Sequence, residues 1–162
     1  MNLVIKWFIL ASFAFLLEQL ITIDGITLNF SFLLIFLFVI HYFFPDIEQK
    51  KIAPSELLPI LFFLIIGLVE DLFQGIIGPS IISKTITGYL LILLIKQLFF
   101  HWTELFKAVI ICLFTMIDEL IYSFIMIYFF NISVGYAMLL KTSLIKALVN
   151  IPFGLILSWK KP

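Results

Sequence analysis

Apolar stretches of about twenty residues, separated by short polar or glycine-containing breaks, follow one another from Leu3 to Ser158. A helix needs roughly 20 predominantly apolar residues to cross a bilayer, because about 30 Å of hydrocarbon is traversed at about 1.5 Å per residue. The stretches therefore predict transmembrane helices near 3–22, 28–44, 57–74, 81–100, 104–129 and 134–158. These consume most of the 162 residues. The sequence thus predicts one domain over 1–162, an all-α polytopic bundle of about six transmembrane helices, with no room for a soluble catalytic lobe. The 12% share of charged residues, about half that of a soluble domain, points the same way.

The first stretch is too long for the apolar region of a signal peptide, no A-x-A-like site follows it, and further apolar segments come after, so it is read as a helix of the mature protein. Ten basic residues, all lysine, balance ten acidic ones, and nothing favours a nucleic-acid partner. The single cysteine, Cys112, sits in an apolar run and reads as a small buried hydrophobe.

Lysine placement predicts the orientation, since cytoplasmic loops carry the excess of Lys and Arg. Putting the amino terminus, the polar 45–56 loop, the 96–107 turn and the carboxyl terminus on one side collects Lys6, Lys50, Lys51, Lys96, Lys107, Lys160 and Lys161. The opposite breaks at 23–27 (with Asp24-Gly25), 75–80 (with Gly75, Gly78 and Pro79) and 130–133 (with Asn131) contain no lysine. Both termini are therefore expected in the cytoplasm. Trp7, Trp102 and Trp159 fall at the cytoplasmic helix ends, where an aromatic belt belongs.

Eight ionisable residues remain inside the spans: Glu18, Glu70, Asp71, Lys84, Asp118, Glu119, Lys141 and Lys146. Each is costly in hydrocarbon unless it faces the bundle interior, a partner or water. Counting depth from the predicted helix ends gives two groups. Glu18, Glu70, Asp71 and Lys84 lie about one turn below the outer surface. Asp118, Glu119 and Lys146 lie roughly 15–18 Å in, with Lys141 somewhat shallower. Two acid-base clusters follow, in which Asp71 either caps the turn after its helix or pairs with Lys84, Glu70 being the alternative partner of that lysine, and Lys146 pairs with Asp118 or Glu119. Structural ion pairs, partner binding and a transported ion all remain open as roles for these charges.

Polar and small residues recur every four positions as Thr142, Lys146, Asn150, Gly154 and Ser158, and again as Ser80, Lys84 and Gly88. Cys112, Thr115, Glu119 and Ser123 share a face of the fifth helix. Such stripes allow close helix approach and interhelical hydrogen bonds. The segments GPSIISKT (78–85) and GYAMLLKT (135–142) align, each after a helix with adjacent acids, as a weak parallel repeat would.

There is no H-E-x-x-H, G-x-S-x-G or P-loop, and the only histidines, His41 and His101, read as interfacial side chains. No metal, cofactor or catalytic residue is expected, and the chain is not expected to be an enzyme.

The stretch GLVEDLFQGIIGPSIISKTITGYL, from Gly67 to Leu90, resembles the signature of the bacterial rod shape-determining protein MreD family, with Gly67, Asp71, Leu72, Gly75, Gly78, Tyr89 and Leu90 at its positions. LNFSFLLIFLFVI, at 28–40, is similar to that family's second helix and keeps Asn29, with Leu28 where the family usually has proline. The resemblance implies a multi-pass protein of the bacterial inner (plasma) membrane, a non-enzymatic scaffold subunit of the cell-elongation machinery. Such proteins associate with the single-span protein MreC and link MreB filaments to peptidoglycan synthesis. The family is similar in architecture to the substrate-binding subunits of energy-coupling-factor vitamin transporters, which supplies one alternative; a small ion-coupled transporter using Asp118, Glu119 and Lys146 supplies another.

Overall fold

A computed structural model describes residues 3–23, 26–43, 57–97, 103–133 and 135–158, with the side chains of the first helix described from Ile9 onward. The elements run α1 (Leu3–Leu20), β1 (Thr22–Ile23), β2 (Ile26–Thr27), α2 (Phe30–Phe43), α3 (Leu57–Gln74), α4 (Pro79–Gln97), α5 (Glu104–Phe130) and α6 (Tyr136–Ser158). The two short strands pair antiparallel, Thr22 with Thr27 and Ile23 with Ile26. Helices α3, α4, α5 and α6 are long and apolar enough to cross a bilayer. The chain is an all-α polytopic membrane protein. Trp7, Trp102, Trp159, Lys6, Lys50, Lys51, Lys160, Lys161, His101, the Asp24-Gly25 pair and the 45–56 loop lie outside the residues or side chains described.

Helix α2 is the hub. It packs against all five other helices, and Phe32, Leu33, Ile35, Phe36, Val39 and Ile40 are almost wholly buried. Its 14 residues span only about 21 Å, less than the hydrocarbon thickness. A helix shielded from lipid by its neighbours has no need to match the bilayer, and one that is apolar all round belongs in a core. The outer helices follow the opposite rule, each turning a narrow stripe inward. Ala11, Phe15 and Glu18 of α1 are buried while Ile9, Phe13, Leu16 and Leu20 are exposed, the three-to-four spacing of one helix face.

The α3–α4 hairpin crosses closely, backbone against backbone at Gly67. A Cβ on Gly67 would stand 2.5 Å from Ile81 Cα and 2.7 Å from Ser80 O, and one on Gly88 would stand 2.5 Å from the Phe63 ring. Where lipid offers no hydrophobic advantage, such backbone-to-backbone approach is a main source of helix association.

At the end of the bundle holding the α2 and α4 carboxyl ends, Lys96 lies 5.6 Å from the Phe43 ring centroid. Lys107 is at the same end, in the first turn of α5 as the predicted 104–129 span has it, and is buried. It is 1% exposed and donates to Glu104 Oε1 at 3.1 Å and to the Ser158 carbonyl at 3.4 Å. The final carbonyls of α6 lack intrahelical donors, and a lysine there is favoured by the helix dipole as well.

The opposite ends are not level. Tyr122 Oη donates to Gln74 Oε1 at 2.7 Å, yet Gln74 is the last residue of α3 while α5 continues eight residues past Tyr122 to Phe130. The α5–α6 hairpin therefore projects about 12 Å beyond the α3–α4 turn. It exposes Tyr128, Phe129, Phe130, Tyr136 and Met138, and Asn131 closes α5 with φ 54°, a left-handed cap that asparagine tolerates better than most residues.

Candidate functional site

Glu70, Lys84, Asp118, Glu119 and Lys146 form one connected network near the amino end of α2. Lys84 Nζ of α4 lies 3.4 Å from Glu70 Oε2 of α3 and 2.5 Å from Asp118 Oδ2 of α5. Asn29, in the extended link before α2, then bridges the two acids of α5: its Nδ2 donates to Asp118 Oδ2 at 2.7 Å and to Glu119 Oε1 at 2.8 Å. Glu119 in turn receives Lys146 Nζ of α6, at 2.9 Å to each oxygen. Asn150, one turn further along α6, donates through Nδ2 to the Asn29 carbonyl at 2.8 Å and to Thr115 Oγ1 at 3.2 Å.

Asn29 also stabilises the start of α2. Its Oδ1 accepts from the Phe32 amide at 3.0 Å and from Lys84 Nζ at 3.1 Å. An asparagine at this position satisfies a helix-end donor that has no partner of its own. An amide both donates and accepts, so one side chain can cap a helix, meet an ammonium group and join two carboxylates. No carboxylate or ammonium can do all three.

Two of the expected acids do other work. Asp71 does not pair with Lys84; it caps α4. Its carboxylate accepts from Gly78 N at 2.7 Å, Ser80 N at 2.8 Å and Ile81 N at 3.2 Å. Pro79 between them has no amide hydrogen to offer, so the carboxylate takes every donor of this first turn. The chain reaches this arrangement through Gly75 (φ 74°) and Gly78 (φ 127°), backbone conformations open to glycine and strained for other residues. Glu18 likewise serves a helix start, accepting from Ser31 N at 3.2 Å and Ser31 Oγ at 2.7 Å. It ties α1 to α2, so all six helices are joined.

The structure thus corrects the two-cluster expectation. Lys84, assigned to the shallow group, meets Asp118, assigned to the deep one, because depths were counted from helix ends that are not level. Lys141 is exposed on α6 and stays out of the network. Its counterpart in the proposed repeat, Lys84, is 2% exposed, so the two segments do not play equivalent parts. In the α6 stripe Thr142 bonds its own helix at Met138 O, while Ser143, Ala147, Asn150, Gly154 and Ser158 form the buried face. Cys112 is a free, half-buried thiol. Ser31, Gln74 and Tyr122 were not singled out by the sequence; as uncharged polar residues near helix ends, they carry no signal until their partners are known.

Among the described residues no group of three His, Cys, Asp or Glu side chains is placed to hold a metal ion. Comparison with protein-family models, curated proteins and solved structures returns no match.

Proposed function

We propose that this chain is a non-enzymatic scaffold subunit of the bacterial inner membrane, working in cell elongation through a single-span partner of the MreC type, as its resemblance to the MreD family implies. The observation that carries the reading is where the resembling residues fall. Asn29, Gly67, Asp71, Gly75 and Gly78 make the joints of the hub and of the α3–α4 hairpin. Leu72, Tyr89 and Leu90 instead lie exposed on that hairpin. They are open to a partner helix, and no internal packing role accounts for them.

A charged core in which nearly every group is held by another suits a rigid platform. A carrier of vitamin-like ligands needs a chamber at its outer end, and the short 75–78 connection between α3 and α4 supplies little wall for one. The buried network makes an ion-coupled transporter the second reading, because ionisable residues within a membrane commonly line ion pathways and proton relays.

Co-purification in mild detergent discriminates between the readings. The scaffold reading predicts retention of a single-span membrane protein and restoration of rod shape in cells lacking their own elongation subunit. Loss of retention on Leu72→Ala with Tyr89→Ala, at unchanged protein amount, would place the contact on this hairpin. Saturable uptake or ligand binding by the isolated protein, with no retained partner, would replace the scaffold with a transporter.

A further inference from the structure

We infer that the buried network holds one exchangeable monovalent cation, a proton or an alkali ion, at the unpartnered oxygens of Asp118 and Asn150 beside Asn29.

The first argument is charge. Among the described residues Glu18, Glu70, Asp71, Asp118 and Glu119 are all buried. Asp71 and Glu18 close on the amino ends of α4 and α2, where the helix dipole supplies about half a positive charge. That leaves Glu70, Asp118 and Glu119 facing the ammonium groups of Lys84 and Lys146. Within this group of five side chains one negative charge is unmatched, and the half charges at the helix ends compensate Asp71 and Glu18 only in part, in a region where unmatched charge is least tolerated.

The second argument is independent of charge. Asp118 Oδ1 and Asn150 Oδ1 are buried acceptors with no donor. Asn150 is wholly buried and its orientation is fixed, since Nδ2 faces the Asn29 carbonyl and Thr115 Oγ1. Turning the amide over would set its oxygen against that carbonyl. Both orphaned side chains are bonded to Asn29, and Thr115 precedes Asp118 by one turn on α5. Buried polar atoms without partners are rare enough to require an explanation.

A water molecule would supply donors and leave the charge unmatched. A cation answers both deficits. A divalent ion would overshoot the charge of that group of five, and the ligand atoms are all oxygen, which suits a proton or a hard alkali ion. The titratable groups in and around the network are Glu18 of α1, Glu70 and Asp71 of α3, Lys84 of α4, Asp118, Glu119 and Tyr122 of α5 and Lys146 of α6. The inference does not depend on the scaffold reading, because a cation held for stability would serve a platform and a transporter alike.

The test uses the full-length protein purified in detergent. Thermal unfolding is followed in sodium chloride and in choline chloride of equal ionic strength, across a pH series, alongside infrared spectra of the carboxyl C=O region. An alkali ion predicts a saturable rise of the unfolding midpoint with sodium that choline does not reproduce. A proton predicts a protonated-carboxyl band at neutral pH and no preference for sodium. Glu70→Gln removes the unmatched charge and keeps the side chain's shape, so it should abolish whichever response is seen; Asp118→Asn makes the same change if that variant accumulates poorly. Equal midpoints in both salts at every pH, with no protonated-carboxyl band, would overturn the inference from the unsubstituted protein alone. A response undiminished in the neutralised variants would overturn it too.

Discussion

Lys84 and Asp118 meet at 2.5 Å, although the lysine is five residues from the start of α4 and the aspartate twelve from the end of α5. Their contact puts the tip of the α5–α6 hairpin about two turns beyond the α3–α4 connection, in agreement with the Tyr122–Gln74 bond. A carboxylate of the deeper group thus joins a lysine that the depth count placed with Glu18, Glu70 and Asp71.

The projection is directly testable. In a Cys112→Ala background, Ile132→Cys should react readily with a membrane-impermeant maleimide applied from the outer face. A reporter fused after Pro162 should be active only in the cytoplasm. Labelling from the cytoplasmic face, or periplasmic reporter activity, would invert the orientation.

Asp71→Ala should lower the folded fraction in the membrane more than Glu70→Gln. The first strips three backbone donors of their acceptor, and loss of a helix cap alone costs about 0.5–2 kcal/mol. The second leaves Lys84 with Asp118 and Asn29. Fluorescence-detected size exclusion of the two variants checks the order; equal yields would show that water caps α4 as well as the carboxylate does.

Gly67→Ala should be worse than Gly75→Ala for different reasons. At Gly67 the added carbon meets backbone at 2.5 Å, which no side-chain rotation relieves, so the hairpin must open; overpacking of this kind costs about 1–3 kcal/mol or more. At Gly75 nothing lies within 4 Å, and the cost is only the left-handed backbone, about 1–2 kcal/mol. Unfolding midpoints in detergent would rank them, and the reverse ranking would refute the close crossing.

Asn29→Asp changes almost nothing in size and removes both amide donors while adding a carboxylate beside Asp118 and Glu119. Folded protein should fall sharply, and Glu119→Gln should recover part of the loss. An unchanged yield would show that the amide is not what holds the two acids together.

The fold was legible because lipid imposes long apolar runs, and all six helices lie within a few residues of the stretches that predicted them. The candidate site was legible in its members and partly in its pairing: Glu70 does meet Lys84, and Lys146 does meet Glu119. Its single-network form was hidden, since it depends on α5 being 27 residues long and overshooting its neighbours, and apolar runs do not fix relative height. Asn29 entered only through the family resemblance. A lone asparagine before an apolar run reads as a helix cap, and no local pattern reveals that two acids some ninety residues away will come to it. Lys107 was counted only for the side it marks; its contact with the Ser158 carbonyl, from a helix end some fifty residues away, has no local signal.

The central claim is that specific ion pairs hold this bundle together, and crossed rescue tests it most directly. Lys146→Met and Lys84→Met should each reduce folded protein, since breaking a buried pair costs about 3–5 kcal/mol in soluble proteins. Each second substitution is then scored for recovery beyond the sum of single effects. Glu119→Gln should rescue Lys146→Met better than Asp118→Asn does, and Asp118→Asn should rescue Lys84→Met better than Glu119→Gln does. Full accumulation of either lysine variant, or equal rescue by either acid, would contradict the account.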